Sequence, residues 1–281
     1  MSDKYSEAVG TFPKLDRIIW LIFFVVAALP IIFPIGLPLD VTEVTRDYYA
    51  TIEDIPEGGF VIYSFDSGMG AFAEMGPADI GTITHLTKVI KKNDVKVMFV
   101  TTAGPEGQIA LNVILTQYVD MSGIVYGEDY INLGLIPGYE STLAALAEDL
   151  HKIAPTDVEG TSLVDIPWTA DVRGAEDYDI FIFSTATSPD PYPRQWAQYD
   201  KPILAVAQAA TASWIRPYHE AGMITAYLPG QRGGAEYEVM LGAPGLGCSY
   251  MDAQSLTHVY AILLILVVNV QWYLKRKEEE K

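Results

Sequence analysis

The chain has 281 residues, half of them hydrophobic, and its 18 Lys and Arg against 36 Asp and Glu give a net charge of −18. The apolar content excludes a disordered chain, and a single cysteine, Cys248, excludes a disulfide scaffold. Because an acidic chain repels phosphate, we expect no nucleic-acid partner. The four histidines lie far apart in the sequence, which disfavours a zinc enzyme.

Two uncharged stretches near the chain ends predict transmembrane helices. Residues 18–39 contain 22 residues without a charge, and a helix of that length spans roughly 33 Å, enough for a bilayer core. We interpret this segment as an uncleaved signal anchor, because it is longer than the apolar region of a cleaved signal peptide. The second stretch, residues 259–274, belongs to a predicted long helix over residues 251–277, whose end carries Lys275 and Arg276. A buried core helix is the alternative interpretation for each.

The flanking charges predict an orientation. Seven Lys and Arg lie in residues 1–17 and 275–281, whereas Arg46 alone lies close to the other ends of the two segments. Positive residues favour the cytoplasmic side, so we expect both termini, residues 1–17 and 278–281, in the cytoplasm. Residues 40–250 then form an extracytoplasmic domain of a two-pass cell-membrane protein. A solvated surface explains its acidity most simply, and adaptation to high salt or low external pH is the alternative.

The middle of the chain alternates β-rich apolar runs with helical patterns. We predict a helix over residues 140–153 and strands at residues 60–65, 95–101, 123–126, 179–184, 203–207 and 223–228. Strands that alternate with helices indicate a mostly parallel sheet with helices on both faces. The predicted fold class is therefore Rossmann-like α/β, flanked by an N-terminal and a C-terminal transmembrane helix. This is a likeness of fold only, and no motif supports membership of a family.

Small polar residues follow several predicted strands. In open α/β sheets, ligands bind at the carboxyl ends of the strands, although the same residue types also form turns and helix caps. The candidate ligand-binding residues at this edge are Asp66, Ser67, Gly68, Gly70, Thr101, Thr102, Ser184, Thr185 and Gln208.

One glycine-rich segment resembles a dinucleotide fingerprint. Residues 68–73 match G-x-G-x-x-A after a strand, a pattern that can place backbone amides against a pyrophosphate. Asp66 and Glu74 flank the segment and would repel phosphate, and the acid expected after the second strand is replaced by Thr101 and Thr102. We therefore interpret the segment as a flexible turn and predict no cofactor.

The sequence contains no complete catalytic or metal-binding motif, and we predict neither catalytic residues nor a metal. Ser67 lacks a G-x-S-x-G context, and Asp66 has no second Asp two residues later. His219 has no second His four residues on, so the zinc-helix motif is absent. We expect His85 to be structural and Cys248 to be a small buried thiol in a loop.

Two segments suggest assembly. Residues 230–238 are either a binding loop with Arg232 as an interface anchor or a turn into a short helix that begins near Gly234. Residues 249–252 resemble a capping box that starts the last helix. One face of that helix carries Gln254, Thr257, His258, Ala261 and Asn269. Polar residues in a membrane helix pack on protein, here either on the first helix or on a neighbouring chain.

Three functions fit these observations. The first is a non-catalytic scaffold or assembly subunit of a larger membrane complex, which contacts lipids and, through its last helix, itself or other membrane proteins. The second is a sensor or receptor domain that binds a small ligand at the strand edge. The third is a hydrolase that uses Asp66 or Ser67.

Overall fold

The computed structural model describes residues 13–279 and the side chains of residues 17–278. The chain divides into two compact units: Leu39–Gly247 form the first, and the flanking segments form the second. The helices are α1 (Pro13–Ile32), α2 (Glu43–Glu53), α3 (Phe72–Asn93), α4 (Pro105–Val113), α5 (Glu140–Glu148), α6 (Leu150–Ile153), α7 (Pro191–Trp196), α8 (Ala209–Glu220), α9 (Gly230–Met240) and α10 (Leu246–Glu279).

The first unit is built on one parallel sheet. Its strands are β1 (Phe60–Asp66), β2 (Lys96–Thr101), β3 (Tyr130–Leu135), β4 (Ile180–Thr185), β5 (Ile203–Ala207) and β6 (Ala226–Pro229). They lie in the order β3-β2-β1-β4-β5-β6, and every pairing is parallel. The predicted parallel α/β fold is confirmed. The chain turns back between β1 and β4, which makes their carboxyl ends the topological switch point of the sheet.

Both faces of the sheet are covered, as the apolar strands require. Along β1, Val61, Tyr63 and Phe65 pack with α2, α3, α4 and α9, whereas Ile62 packs on the opposite face with α5, α7 and α8. This alternation follows from the two-residue period of a strand. The two cores hold the carboxyl edge of the sheet in a fixed geometry.

The third strand was predicted in the wrong place. It lies at Tyr130–Leu135 and not at residues 123–126. Gly123 and Gly127 have φ angles of +75° and +83°, so the predicted segment is a turn. The true strand is inconspicuous in the sequence because Asn132 interrupts its apolar run.

Two further element boundaries differ from the prediction. The helix predicted over residues 140–153 is broken at Asp149, whose φ of −157° is extended and whose carboxylate accepts the N–H of His151 to start α6. The sixth strand spans Ala226–Pro229, displaced toward the carboxyl end of the predicted segment.

In the second unit, α10 is long and apolar enough to cross a membrane. It begins at Leu246, before the predicted start, so residues 249–252 are not a capping box. Asp252 instead accepts the backbone N–H groups of Ile35, Gly36 and Leu37, at 2.9, 2.8 and 3.0 Å. Cys248 is half-buried in the first turn of α10 and does not lie in a loop.

The N-terminal helix is shorter than predicted. Its apolar part, Arg17–Ile32, is about 24 Å long at 1.5 Å per residue, less than the ~30 Å hydrocarbon core. Pro34 lies after the helix, in a segment without regular secondary structure. A membrane span over residues 18–39 is therefore not shown.

Candidate functional site

The switch point gathers most of the residues that were predicted to bind a ligand. Asp66 and Thr185 are register partners on β1 and β4, and Thr101 ends the adjacent strand β2. Ser67 and Ser184 lie beneath this edge and are buried. Gln208 lies farther along the edge after β5, where its carbonyl accepts the N–H of Ala212 in the first turn of α8.

The carboxylate of Asp66 holds neighbouring elements together at the carboxyl edge of the sheet. Its Oδ1 accepts the backbone N–H groups of Thr102 and Ala103, at 2.6 and 2.8 Å. Its Oδ2 accepts the hydroxyls of Ser64, Thr102 and Tyr192, at 2.7, 3.0 and 2.8 Å. Five donors satisfy the lone pairs of one carboxylate, so Asp66 has little capacity left to bind or attack a ligand.

Two tyrosines close the space above Asp66. Tyr192 is buried and stacks on Phe183 with ring centroids 4.1 Å apart, and burial raises the pKa of its phenol well above the usual value. Tyr139 packs edge-on against Tyr192, and its hydroxyl donates to the carbonyl of Ser188 at 2.6 Å. Neither tyrosine was predicted from the sequence, although each lies close to a strand end in the chain.

Tyr139 has a strained backbone. Its φ of 49° and ψ of −107° lie in a region that glycine populates and that other residues rarely enter. Such strain costs roughly 1–3 kcal/mol and clusters at ligand clamps and switch regions. Burial is the main cause of the raised pKa of the Tyr139 phenol, and the nearby Asp66 carboxylate raises it further, whereas the hydroxyls of Thr187 and Thr185 lower it.

A second carboxyl, that of Asp79, is buried below the edge and was also missed. Tyr63 donates to Asp79 Oδ1 at 2.7 Å, and Ser67 donates to Oδ2 at 3.0 Å. Ser184 in turn donates to Ser67 at 2.9 Å. Burial raises the pKa of Asp79 to about 6, against the lowering effect of these hydroxyls. The signal in the sequence is an acid on the apolar face of a helix, which requires hydrogen-bonding partners.

The glycine-rich segment serves packing. A Cβ at Gly68 would lie 2.8 Å from Cβ of Glu106, so glycine allows α4 to approach. Glu74 accepts the N–H of Ala209 at 2.7 Å. The acidic residues Asp66, Glu74 and Glu106 thus flank or contact the segment, and their charge disfavours an anionic ligand there.

The remaining predicted groups have structural partners. His85 contacts Tyr237 at 2.6 Å and Glu53 at 2.9 Å, which agrees with a structural role, and burial lowers its pKa. Within residues 13–279, no cluster of three His, Cys, Asp or Glu side chains could hold a metal ion.

Arg232 lies on a helix, because α9 begins at Gly230. The predicted loop conformation is therefore wrong and the alternative helix start near Gly234 is four residues late, whereas the role of Arg232 as an interface anchor stays a prediction. Its Nε donates to Glu236 at 2.7 Å. Glu236 is buried and also accepts the N–H of Thr42 and the hydroxyl of Thr45, at 2.9 and 2.8 Å. The pair therefore fixes the start of α2.

The last helix contacts the N-terminal segment through Asp252 and Tyr260: Asp252 binds residues 35–37, and the Tyr260 hydroxyl donates to the carbonyl of Ile19 at 2.8 Å. The predicted polar face, which we call the polar stripe, is centred about 155° from Asp252 and about 125° from Tyr260 at 3.6 residues per turn. Of its members, Gln254, His258, Ala261 and Asn269 are exposed and Thr257, which lies nearest to Tyr260, is half-buried.

The strand edge can position backbone and exclude water, but its carboxylates and buried serines are engaged with one another. Gln254, His258, Ala261 and Asn269 of the polar stripe are exposed, as are Gly70 and Arg232. No protein-family model matches the sequence, and no curated protein is significantly similar to it.

Proposed function

We propose that this protein is a non-catalytic subunit of a larger membrane complex and that it assembles through the polar stripe of α10. The observation that carries the proposal is the position of the stripe. Asp252 and Tyr260 contact the N-terminal segment, and the exposed Gln254, His258 and Asn269 lie on a different side of α10.

The energetics of the bilayer support this assignment. An exposed amide or imidazole in hydrocarbon is costly, and such groups face protein in membrane bundles. Asn269 satisfies one N–H internally, on the carbonyl of Ile265 at 2.7 Å, and its carbonyl oxygen still needs a donor. A partner helix can supply one where lipid tails cannot.

We further propose a two-pass topology with both termini in the cytoplasm and Leu39–Gly247 outside. Trp20, Phe24 and Ile32 of α1 are each at least 66% exposed, which is expected of side chains covered by lipid or a partner. The apolar segment after α1 is joined to α10 by Asp252, so both chain ends enter the membrane region together. The basic residues at the amino end of α1, Lys14 and Arg17, and at the carboxyl end of α10, Lys275, Arg276 and Lys277, support the orientation.

The strand edge supports a non-catalytic role. Catalysis requires a nucleophile or base within reach of a substrate. Ser67 and Asp79 are 3% and 1% exposed, and Asp66 already accepts five hydrogen bonds. The same residues join β1, β2, β4, α3 and α7, as the edge of a rigid scaffold requires.

The test is native mass spectrometry of the full chain, extracted from its own membrane in mild detergent. We expect a defined complex, and we expect Asn269→Leu to release the subunit. Leu266→Ala, at nearly the same depth but outside the stripe, is the matched control and should retain the complex. A bare monomer of the unmodified chain would overturn the proposal.

A ligand-binding sensor is the second candidate, and the strained Tyr139 above Asp66 favours it. A ligand that contacts this residue could stabilise the strained conformation. Screening small polar molecules by thermal shift tests the candidate. A stabilising compound whose effect is lost in Tyr139→Gly would support it, and a screen without any such compound would count against it.

A further inference from the structure

We propose that the partner on the polar stripe is a second copy of this chain, with the two α10 helices parallel about a two-fold axis. The inference rests on the proposed function, since it names the occupant of the same surface. It follows from the spacing and hydrogen-bonding capacity of the stripe.

The stripe is straight and long enough for a helix pair. Gln254, His258, Ala261 and Asn269 of the stripe, with Ile265 between the last two, are separated by four, three, four and four residues. They stay within an arc of about 80° over roughly 22 Å of helix, and Thr257 widens that arc to about 120°. Ala261 lies near the middle, where a small side chain lets two helices approach closely. Such a line favours nearly parallel packing over a crossing at a single point.

Two copies bring identical groups to identical depths. Chains of one sequence have the same orientation in a membrane, so a two-fold axis along the membrane normal pairs each stripe residue with its own equivalent. Asn269 has used one amide N–H on Ile265, which leaves one donor and one acceptor. Two such amides can exchange reciprocal hydrogen bonds, and Gln254 offers the same self-complementary group one bilayer leaflet away. A different partner would need polar residues at both depths.

The side occupied by the N-terminal segment is compatible with this arrangement. Tyr260 and Asp252 engage that segment at least about 100° around α10 from Ala261, so each copy keeps its own α1 while the stripes meet. The pair would form a four-helix membrane assembly that carries two α/β units.

Disulfide cross-linking of the full chain in native membranes tests the arrangement. In a Cys248→Ser background, we expect Ala261→Cys to give a covalent dimer on mild oxidation. Leu263→Cys, at nearly the same depth on the opposite side, is the matched control and should remain monomeric. Two differently tagged copies should also co-purify, and Asn269→Leu should weaken that association by about threefold to thirtyfold, whereas Asn269→Gln, which keeps an amide, should restore part of it.

The outcomes separate this inference from the proposed function. A complex that contains one copy of this chain with another protein, and no Ala261→Cys dimer, would overturn the two-fold pairing and leave the assembly role intact. Equal cross-linking at both positions would also overturn it, because it indicates random collision. A monomer in every measurement would overturn both.

Discussion

The hydroxyl of Tyr192 donates a hydrogen bond to Oδ2 of Asp66 at 2.8 Å, and this contact ties α7 to the end of β1. The same carboxylate accepts two backbone N–H groups from the turn after β2. The crevice where doubly wound sheets bind ligands is therefore bridged by the protein's own groups. This explains why a residue at a typical catalytic position serves here to hold three elements together.

We expect Asp66→Ala to destabilise the domain by about 3 kcal/mol, because its partly buried donors lose their acceptor. Tyr192→Phe removes one of the five hydrogen bonds and should cost about 1 kcal/mol. Chemical unfolding of the purified full chain measures both. An Asp66→Ala chain of unchanged stability that loses a hydrolytic activity would instead identify Asp66 as a catalytic residue.

A pH dependence follows from Asp79. Its folded-state pKa, about 6, lies above the ordinary value of 3.8, so its contribution to stability is complete below the ordinary value and is lost as pH rises through about 6. Asp79→Asn removes this titration. Between about pH 4 and about pH 7, we expect the unfolding free energy of the variant to improve relative to the unmodified chain by roughly 2 kcal/mol.

Parallel denaturation series at several pH values measure this difference. The relevant quantity is how the difference in unfolding free energy between the two chains changes with pH. Its absolute size is less informative, because asparagine also changes the hydrogen bonds to Tyr63 and Ser67. A constant difference across the range would show that the Asp79 carboxyl does not titrate there.

The sheet was largely predictable because its strands are buried on both faces and leave continuous apolar runs, as residues 203–207 do. Strand β3 was not predicted because Asn132 and Gly134 interrupt its apolar pattern, and because a more apolar turn lies just before it. The apolar pattern of a strand reflects which of its side chains are buried. An edge strand with polar positions has a weaker apolar pattern and is harder to predict.

The candidate site was predictable only as a location. Strand ends place Asp66 and Thr185 together in any parallel sheet, but no local pattern indicates that Tyr192, 126 residues away, satisfies the carboxylate. The capping box failed for the same reason, since the partners of Asp252 are more than 200 residues distant. Long-range hydrogen bonds decide whether a polar residue is available to a ligand.

The Asp252 contact predicts local protection of the segment after α1. Asp252→Ala leaves the N–H groups of Ile35, Gly36 and Leu37 without their acceptor, so their hydrogen exchange should accelerate by about tenfold or more. Asp252→Asn keeps one acceptor oxygen and should have a smaller effect. The amide of Val61 in β1 serves as an internal reference. Equal acceleration of its hydrogen exchange would indicate that Asp252→Ala destabilises the whole chain and does not act only on residues 35–37.

The strain at Tyr139 can be measured by comparing two small substitutions. Tyr139→Ala and Tyr139→Gly both remove the ring that packs on Tyr192 and the hydroxyl that binds Ser188, so they differ only in backbone freedom. At an ordinary position glycine is less stable than alanine by about 0.5–1 kcal/mol. At φ 49° and ψ −107° the order should reverse, and we expect the glycine variant to be more stable by about 1–2 kcal/mol. Thermal unfolding of the two variants side by side measures this difference. An alanine variant as stable as the glycine variant would mean that the backbone of Tyr139 is unstrained. It would also remove the observation that favours a ligand sensor.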